Sequence, residues 1–182
     1  MAATPEDLFA LLDLLGIAHR TVTHVPLFTV EQSRALRGSI PGAHTKNLFL
    51  KDKKGALVLL TALEDAVIEL KSLHRRLGSS GRFSFGAAEL LRETLGIEPG
   101  AVTPFAVIND RDRRVSIILD ADLLRRETVS AHPLRNTMTT SPRPAAVPGG
   151  DRPSAADHRA GARRRGGAGG GFLIANIPAD PI

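Results

Sequence analysis

The chain has 182 residues, 42% of them hydrophobic, with no Cys, Trp or Tyr and with 24 Lys+Arg against 19 Asp+Glu, a formal charge of +5. Up to residue 140 there are 18 basic and 16 acidic residues, and beyond it 6 and 3, so +3 of the excess lies in a short tail. This composition excludes a disulfide scaffold, a thiolate metal site and a Cys nucleophile; with no long apolar run and an acidic amphipathic N-terminus, it predicts a soluble cytoplasmic protein built on one domain.

Thr4-Pro5-Glu6-Asp7 pairs a capping residue with Pro at the first helical position, and Leu8, Leu11, Leu12 and Leu15 follow at helical spacing up to Gly16. Residues 18–24 alternate as a strand does. Thr29 and Gln32 form a capping box for a short second helix that Gly38 should stop. Residues 46–51 and 56–62 are apolar runs flanking Asp52-Lys53-Lys54-Gly55, the composition of a tight hairpin. Apolar residues at 67, 68, 70, 73 and 77 predict a helix over 64–77 ending at Gly78, and 87–95 reads as another ending at Gly96. Residues 105–108 and 115–119, joined by Asn109-Asp110-Arg111-Asp112, predict a second hairpin, and 128–131 a last short strand. Two hairpins among interleaved helices predict an α+β fold with a mixed, largely antiparallel sheet rather than a doubly wound parallel one.

Catalytic signatures are scarce. The chain has no G-x-S-x-G, no Gly-rich phosphate loop and no H-E-x-x-H, and its six His show no metal-ligand spacing. Three polar clusters remain. In Gly42-Ala43-His44-Thr45-Lys46-Asn47, Lys46 can supply a point charge and Asn47 a donor and an acceptor to a cleft, although the same residues also suit a polar strand end. In residues 96–104, two Gly and two Pro before a predicted strand can present backbone amides to a carbonyl or phosphate, or serve as a stiff connection. In residues 132–140, His132 can orient a ligand or water, or pack against a backbone group.

In this order, the strings HVPLFTVEQS, GAHTKNLFLKDKKG, TALEDAVIELKSLHRRLGSSGRFSFGAAELLRETLGIEPGAVTPFAVIND and HPLRNTMTT resemble the YbaK/aminoacyl-tRNA-synthetase-associated domain family over about residues 5–140. The nearest resemblance is to its free-standing alanyl-tRNA(Pro) deacylases of the ProXp-ala/PrdX type. The resemblance implies an α+β fold with a mixed, strongly curved sheet and a cleft for the 3′ end of a mischarged tRNA(Pro). It places the family lysine on Lys46, the adjoining asparagine on Asn47, the Gly-x-x-x-Pro loop on Gly100 to Pro104, the strand-end asparagine on Asn109 and the late histidine on His132. Catalytic roles then fall to Lys46, Gly100 and His132, and substrate binding to Thr45, Asn47, Pro104 and Asn109, with no metal and no cofactor.

The implied reaction is hydrolysis of the ester joining alanine to tRNA(Pro). Such an ester is already activated, so water can attack it without a protein nucleophile once the carbonyl is polarised and the substrate held. A small pocket would admit Ala and exclude Pro by size, as in double-sieve editing. Cys- or Ser-tRNA is the alternative substrate, transient contact with prolyl-tRNA synthetase the implied partnership, and a non-catalytic RNA-binding module the alternative function.

After Thr140 the resemblance stops. Relatives continue with a helix of the type DLLRFLEATGH and a last strand, whereas this chain reads RPAAVPGGDRPS. Written in GC-rich codons and regrouped by one reading frame, residues 143–154 encode DLLRFLEATGH. We expect residues 1–140 to form the editing domain and 141–182 to be a disordered tail arising from a frameshift, in the gene or in its sequencing. Nucleotide sequencing around codon 140 tests this: no such helix in the neighbouring frame overturns it.

Overall fold

The computed structural model describes residues 1–26, 40, 42–142, 162–165 and 172–175. The chain begins with α1 (Pro5–Leu14), capped by Thr4, whose hydroxyl accepts from the Asp7 amide while the Asp7 carboxylate accepts from the Thr4 amide. Leu8 and Leu12 on this helix are buried, as its apolar spacing requires. β1 (His19–Thr23) follows, and the helix expected after Thr29 lies outside the described residues.

β2 (Ala43–Lys51) and β3 (Leu57–Leu63) form the expected antiparallel hairpin, in the register Lys46 opposite Ala62 and Asn47 opposite Thr61. Its turn is fastened by Asp52, whose carboxylate accepts from the amides of Lys54 (2.8 Å) and Ala56 (2.9 Å) and from the hydroxyl of Ser79 (2.8 Å). The Ser79 hydrogen bond, ahead of those amides, holds the Asp52 carboxyl below the usual carboxylate range.

The next helix, α2 (Leu70–Leu77), is shorter than periodicity predicts. Residues 64 and 65 form a turn and 66–69 an irregular connection instead. The Glu64 amide donates to the His44 carbonyl (3.0 Å), the Ala66 amide donates to the Leu63 carbonyl (3.0 Å), and the Ala66 carbonyl accepts from the Lys46 ammonium. β4 (Ser84–Phe85) and α3 (Ala88–Leu95) follow, and Gly96 ends α3 in the left-handed conformation.

Residues 105–108, expected to be a strand, form a 3-10 helix over Pro104–Asn109. Pro104 has no amide to give a ladder, and the Thr103 hydroxyl caps the turn by accepting from the Phe105 amide (3.4 Å). The second hairpin is therefore absent: β5 (Val115–Asp120) pairs parallel to β3. A second 3-10 turn (Leu123–Arg125) leads to β6 (Val129–Ser130) and then β7 (Met138–Pro142), which pairs antiparallel to β1.

Three short segments of the tail expected to be disordered are described. Ser141 and Pro142 complete β7, and β8 (Ala162–Arg165) and β9 (Phe172–Ala175) add to the sheet, β9 antiparallel to β5. Phe172–Ala175 is an apolar run able to add a strand to the open edge of β5. The rest of the tail lies outside the described residues.

The sheet order is β4-β2-β3-β5-β9-β8, with β6 beside the N-terminal end of β2 and the β1–β7 ribbon joined by a bridge between Ala131 and Thr140. The result is a mixed α+β sheet. Its pleat divides the core. Phe49, Leu57 and Leu59 face α1, α3 and the first 3-10 helix through Leu8, Leu95 and Ala106, while Leu50, Val58 and Leu60 face α2 through Leu73 and Leu77.

Candidate active site

Alternation along β2 decides which of its polar residues act together. Asn47 follows the parity of Phe49, and Lys46 that of Leu48 and Leu50, so the two side chains leave the strand on opposite faces. Their partners agree. The Lys46 ammonium donates to the Ala66 carbonyl beyond β3, whereas the Asn47 carboxamide oxygen accepts from the Thr61 hydroxyl (2.8 Å) on the other face. The Asn47 amide nitrogen contacts the Thr45 hydroxyl at 3.5 Å, and that hydroxyl donates to the Ser130 carbonyl (3.1 Å). Asn47 and Thr45, expected to bind substrate, tie β2 to β3 and β6.

Asn109, also expected to bind substrate, joins two other elements. Its carboxamide oxygen accepts from the Ala3 amide (2.6 Å) and its nitrogen donates to the Leu95 carbonyl (2.9 Å), clamping the N-terminus to the end of α3. We predict that Asn109→Ala lowers folding stability by roughly 1 kcal/mol per lost bond, read from urea denaturation, with little change in kcat.

Lys46 finds other company. The parallel register sets Ala43 opposite Val129 and His44 opposite Ser130, so β2 runs towards Lys46 as the neighbouring chain runs towards His132. His132 Nδ1 lies 2.9 Å from the Met138 carbonyl oxygen. A carbonyl only accepts, so Nδ1 carries the proton and Nε2 keeps its lone pair. Burial is the main cause that pushes the His132 pKa below the ordinary histidine value; the Met138 hydrogen bond opposes it, and the charges of His24 and His44 reinforce it.

Those two histidines complete the cluster. The rings of His24 and His132 are 6.2 Å apart and tilted. His44 Nε2 is buried without a hydrogen-bond partner among the described residues. Neither was singled out from the sequence: His24 closes a strand-like run and His44 stands inside a polar cluster, and nothing in their spacing joins them to His132.

The loop before the first 3-10 helix has a defined path. Gly100 takes φ +89°, a left-handed conformation that favours glycine, and is exposed. The Ala101 amide is already engaged with the Glu98 carbonyl (3.0 Å), and Thr103 is fully buried. Pro104 opens the 3-10 helix, and Val102 and Phe105 pack against the core on the Phe49 face. The loop thus packs on the Asn47 side of the sheet, away from the direction in which Lys46 leaves β2.

Among the described residues, no group of three His, Asp or Glu is arranged to hold a metal ion, and no helix is long and apolar enough to cross a membrane. The site brings the His24 and His132 rings together and sets Lys46 on the same face of β2 as His44; an ammonium and an imidazole are groups suited to polarising a carbonyl and accepting a proton from water.

The known proteins that this chain resembles narrow the chemistry. It is 35% identical over 135 residues to the prolyl-tRNA editing protein ProX of Acetoanaerobium sticklandii, a match covering 74% of this chain and 82% of that protein. It is 39% identical over 132 residues to prolyl-tRNA synthetase associated domain-containing protein 1 of Bos taurus, covering 70% and 77%. Its fold is similar to the crystal structure of a candidate trans-editing enzyme for prolyl tRNA synthetase, with a TM-score of 0.58 at 20% identity over 81% of this chain and 88% of that one. The aminoacyl-tRNA editing domain model matches residues 24–147, and the match starts at His24. The chain belongs to the aminoacyl-tRNA editing domain family, and its activity is aminoacyl-tRNA deacylation.

Proposed function

We propose that this protein hydrolyses alanine from mischarged Ala-tRNA(Pro), acting in trans on tRNA released by prolyl-tRNA synthetase. The observation that carries this reading is a histidine held as a base: His132 donates from Nδ1 to the Met138 carbonyl, which leaves Nε2 of the neutral ring as the acceptor, and the parallel register of β2 with β6 runs Lys46 towards it. The similarity to a prolyl-tRNA editing protein supplies the tRNA.

In this reading Lys46 engages the phosphate or ribose of the terminal adenosine, exchanging its Ala66 carbonyl contact for the substrate. The Gly100 to Pro104 loop packs on the other face of the sheet and has no part in this scheme. Water, oriented by the neighbouring terminal hydroxyl of the tRNA, attacks the ester carbonyl, and the lone pair of His132 Nε2 takes the proton released and returns it to the leaving ribose oxygen. The ester C–O bond breaks, the ribose oxygen leaves with a proton, and alanine and tRNA(Pro) result. The chain has no cysteine, so the scheme uses no thiol nucleophile.

Release of free alanine from Ala-tRNA(Pro), compared with Cys-, Ser- and Pro-tRNA(Pro), tests the assignment. Turnover of Ala-tRNA(Pro) with Pro-tRNA(Pro) spared supports it. Preferred turnover of Cys- or Ser-tRNA(Pro) replaces the substrate, and tRNA binding without turnover replaces the enzyme by a binding module.

The direction of the His132 shift adds a pH signature. A histidine whose folded pKa is depressed stays neutral below the usual value of about 6.5, so kcat, corrected for spontaneous ester hydrolysis, should hold down to that pH and then fall. The same shift lowers stability in acid. Below the unfolded pKa the unfolded chain binds the proton and the folded one does not, so stability is lost as pH falls towards the folded pKa. His132→Asn should remove part of both slopes, measured by deacylation and by urea midpoint against pH.

A further inference from the structure

We propose that His24 is a positioning residue for His132, a role that rests on the deacylase reading of the site. His24 grips β7 at two points that straddle Met138. Its backbone amide donates to the Thr137 carbonyl (2.9 Å), and its ring Nε2 lies 2.9 Å from the Thr139 hydroxyl. Between these points sits the Met138 carbonyl, the group that holds His132 Nδ1. The orientation and tautomer of His132 are therefore set by a peptide unit that His24 immobilises from both sides.

The proton assignments agree around the cluster. His24 Nδ1 is 2.8 Å from the Val25 carbonyl, which only accepts, so this nitrogen bears the hydrogen. In the neutral ring Nε2 is then an acceptor, to which the Thr139 hydroxyl can donate. Thr139 is buried, so its hydroxyl would otherwise be left without a partner at some cost. The rings of His24 and His132 also meet at 6.2 Å, so the His24 side chain limits rotation of His132 directly as well as through β7. His24 makes no claim on the reacting atoms; it acts through Met138, Thr139 and the His132 ring.

The test is a double-mutant cycle on the full chain with Ala-tRNA(Pro): wild type, His24→Ala, His132→Ala and the double variant, with His24→Gln as a conservative replacement whose carboxamide oxygen can accept from Thr139. Misplacing a catalytic group by about 1 Å costs up to about 100-fold in rate. His24→Ala should lower kcat by between about 10- and 100-fold with KM little changed, His24→Gln should recover most of that loss, and His24→Ala should add nothing in the His132→Ala background. A kcat within about twofold of wild type, or losses that multiply in the double variant, overturns the proposal. If His24→Ala does not fold, Thr139→Val replaces it in the same cycle under the same criteria.

A readout independent of turnover separates this inference from the reading beneath it. Imidazole nitrogen NMR of wild type should show His132 in the Nδ1–H form, and His24→Ala should mix its tautomers. An unchanged His132 spectrum in that variant overturns the positioning role even if the protein hydrolyses a different ester. A wild type that hydrolyses no aminoacyl-tRNA overturns the deacylase reading instead.

Discussion

Lys46→Ala should reduce deacylation of Ala-tRNA(Pro) by at least about 100-fold, the usual loss when one preorganised electrostatic group is removed from a site of this kind. The fold should tolerate the change. Lys46 is half-buried, its cross-strand neighbour Ala62 is small, and the contact it loses is one hydrogen bond to the Ala66 carbonyl. Lys46→Arg should rescue little, because the longer planar guanidinium cannot occupy the same point-charge position. Single-turnover rates at saturating enzyme, with circular dichroism to confirm the fold, decide the matter. Wild-type turnover in the alanine variant removes Lys46 from the mechanism.

Gly86→Ala should destabilise the protein by about 3 kcal/mol, the upper part of the range for overpacking. A methyl group at this position would stand 2.4 Å and 2.5 Å from two ring carbons of Phe49. Phe49 is 5% exposed and wedged among Leu57, Leu59 and Leu95, so its ring has nowhere to withdraw. The Gly86 amide also donates to the Phe49 carbonyl (2.9 Å), which holds the two backbones together. Urea denaturation should show a lowered midpoint with an unchanged slope. An unchanged midpoint would mean that β4 lifts away from β2 at negligible cost.

Much of the fold was legible because local signals and burial agreed. The capping residue Thr4, the Asp52 turn and the glycines at 78 and 96 mark ends that the structure keeps. The failures share a cause. Residues 64–69 carry helical apolar spacing but lose their backbone groups to His44, Leu63 and Lys46, contacts with no local signature. Residues 105–108 are apolar and β-rich, yet Pro104 and Thr103 begin a 3-10 turn before a strand can form. The parallel pairing of β5 with β3 spans more than fifty residues and left no trace in either segment.

The site was legible in outline and not in its connections. Resemblance pointed to Lys46 and His132, and adjacency in sequence suggested a shared cleft for Lys46 and Asn47, whose side chains leave β2 on opposite faces. The two partners of Asn109, Ala3 and the Leu95 carbonyl, carry no signature in the sequence around it. His24 and His44 join His132 through strand pairing across about a hundred residues, a relation that spacing along the chain does not encode.

The two halves of the site rest on supports of unequal strength. β2 is hydrogen-bonded to β3 along most of its length and to β4 and β6 on its other side, and its Leu50 is fully buried. Amide hydrogens in its central part should exchange only when the whole molecule opens. His24 and His132 depend on the β1–β7 ribbon, which meets the larger sheet through the bridge at Ala131 and Thr140. Moderate urea or mild heating should release that ribbon first, so inactivation should precede the loss of secondary structure and reverse on cooling or dilution.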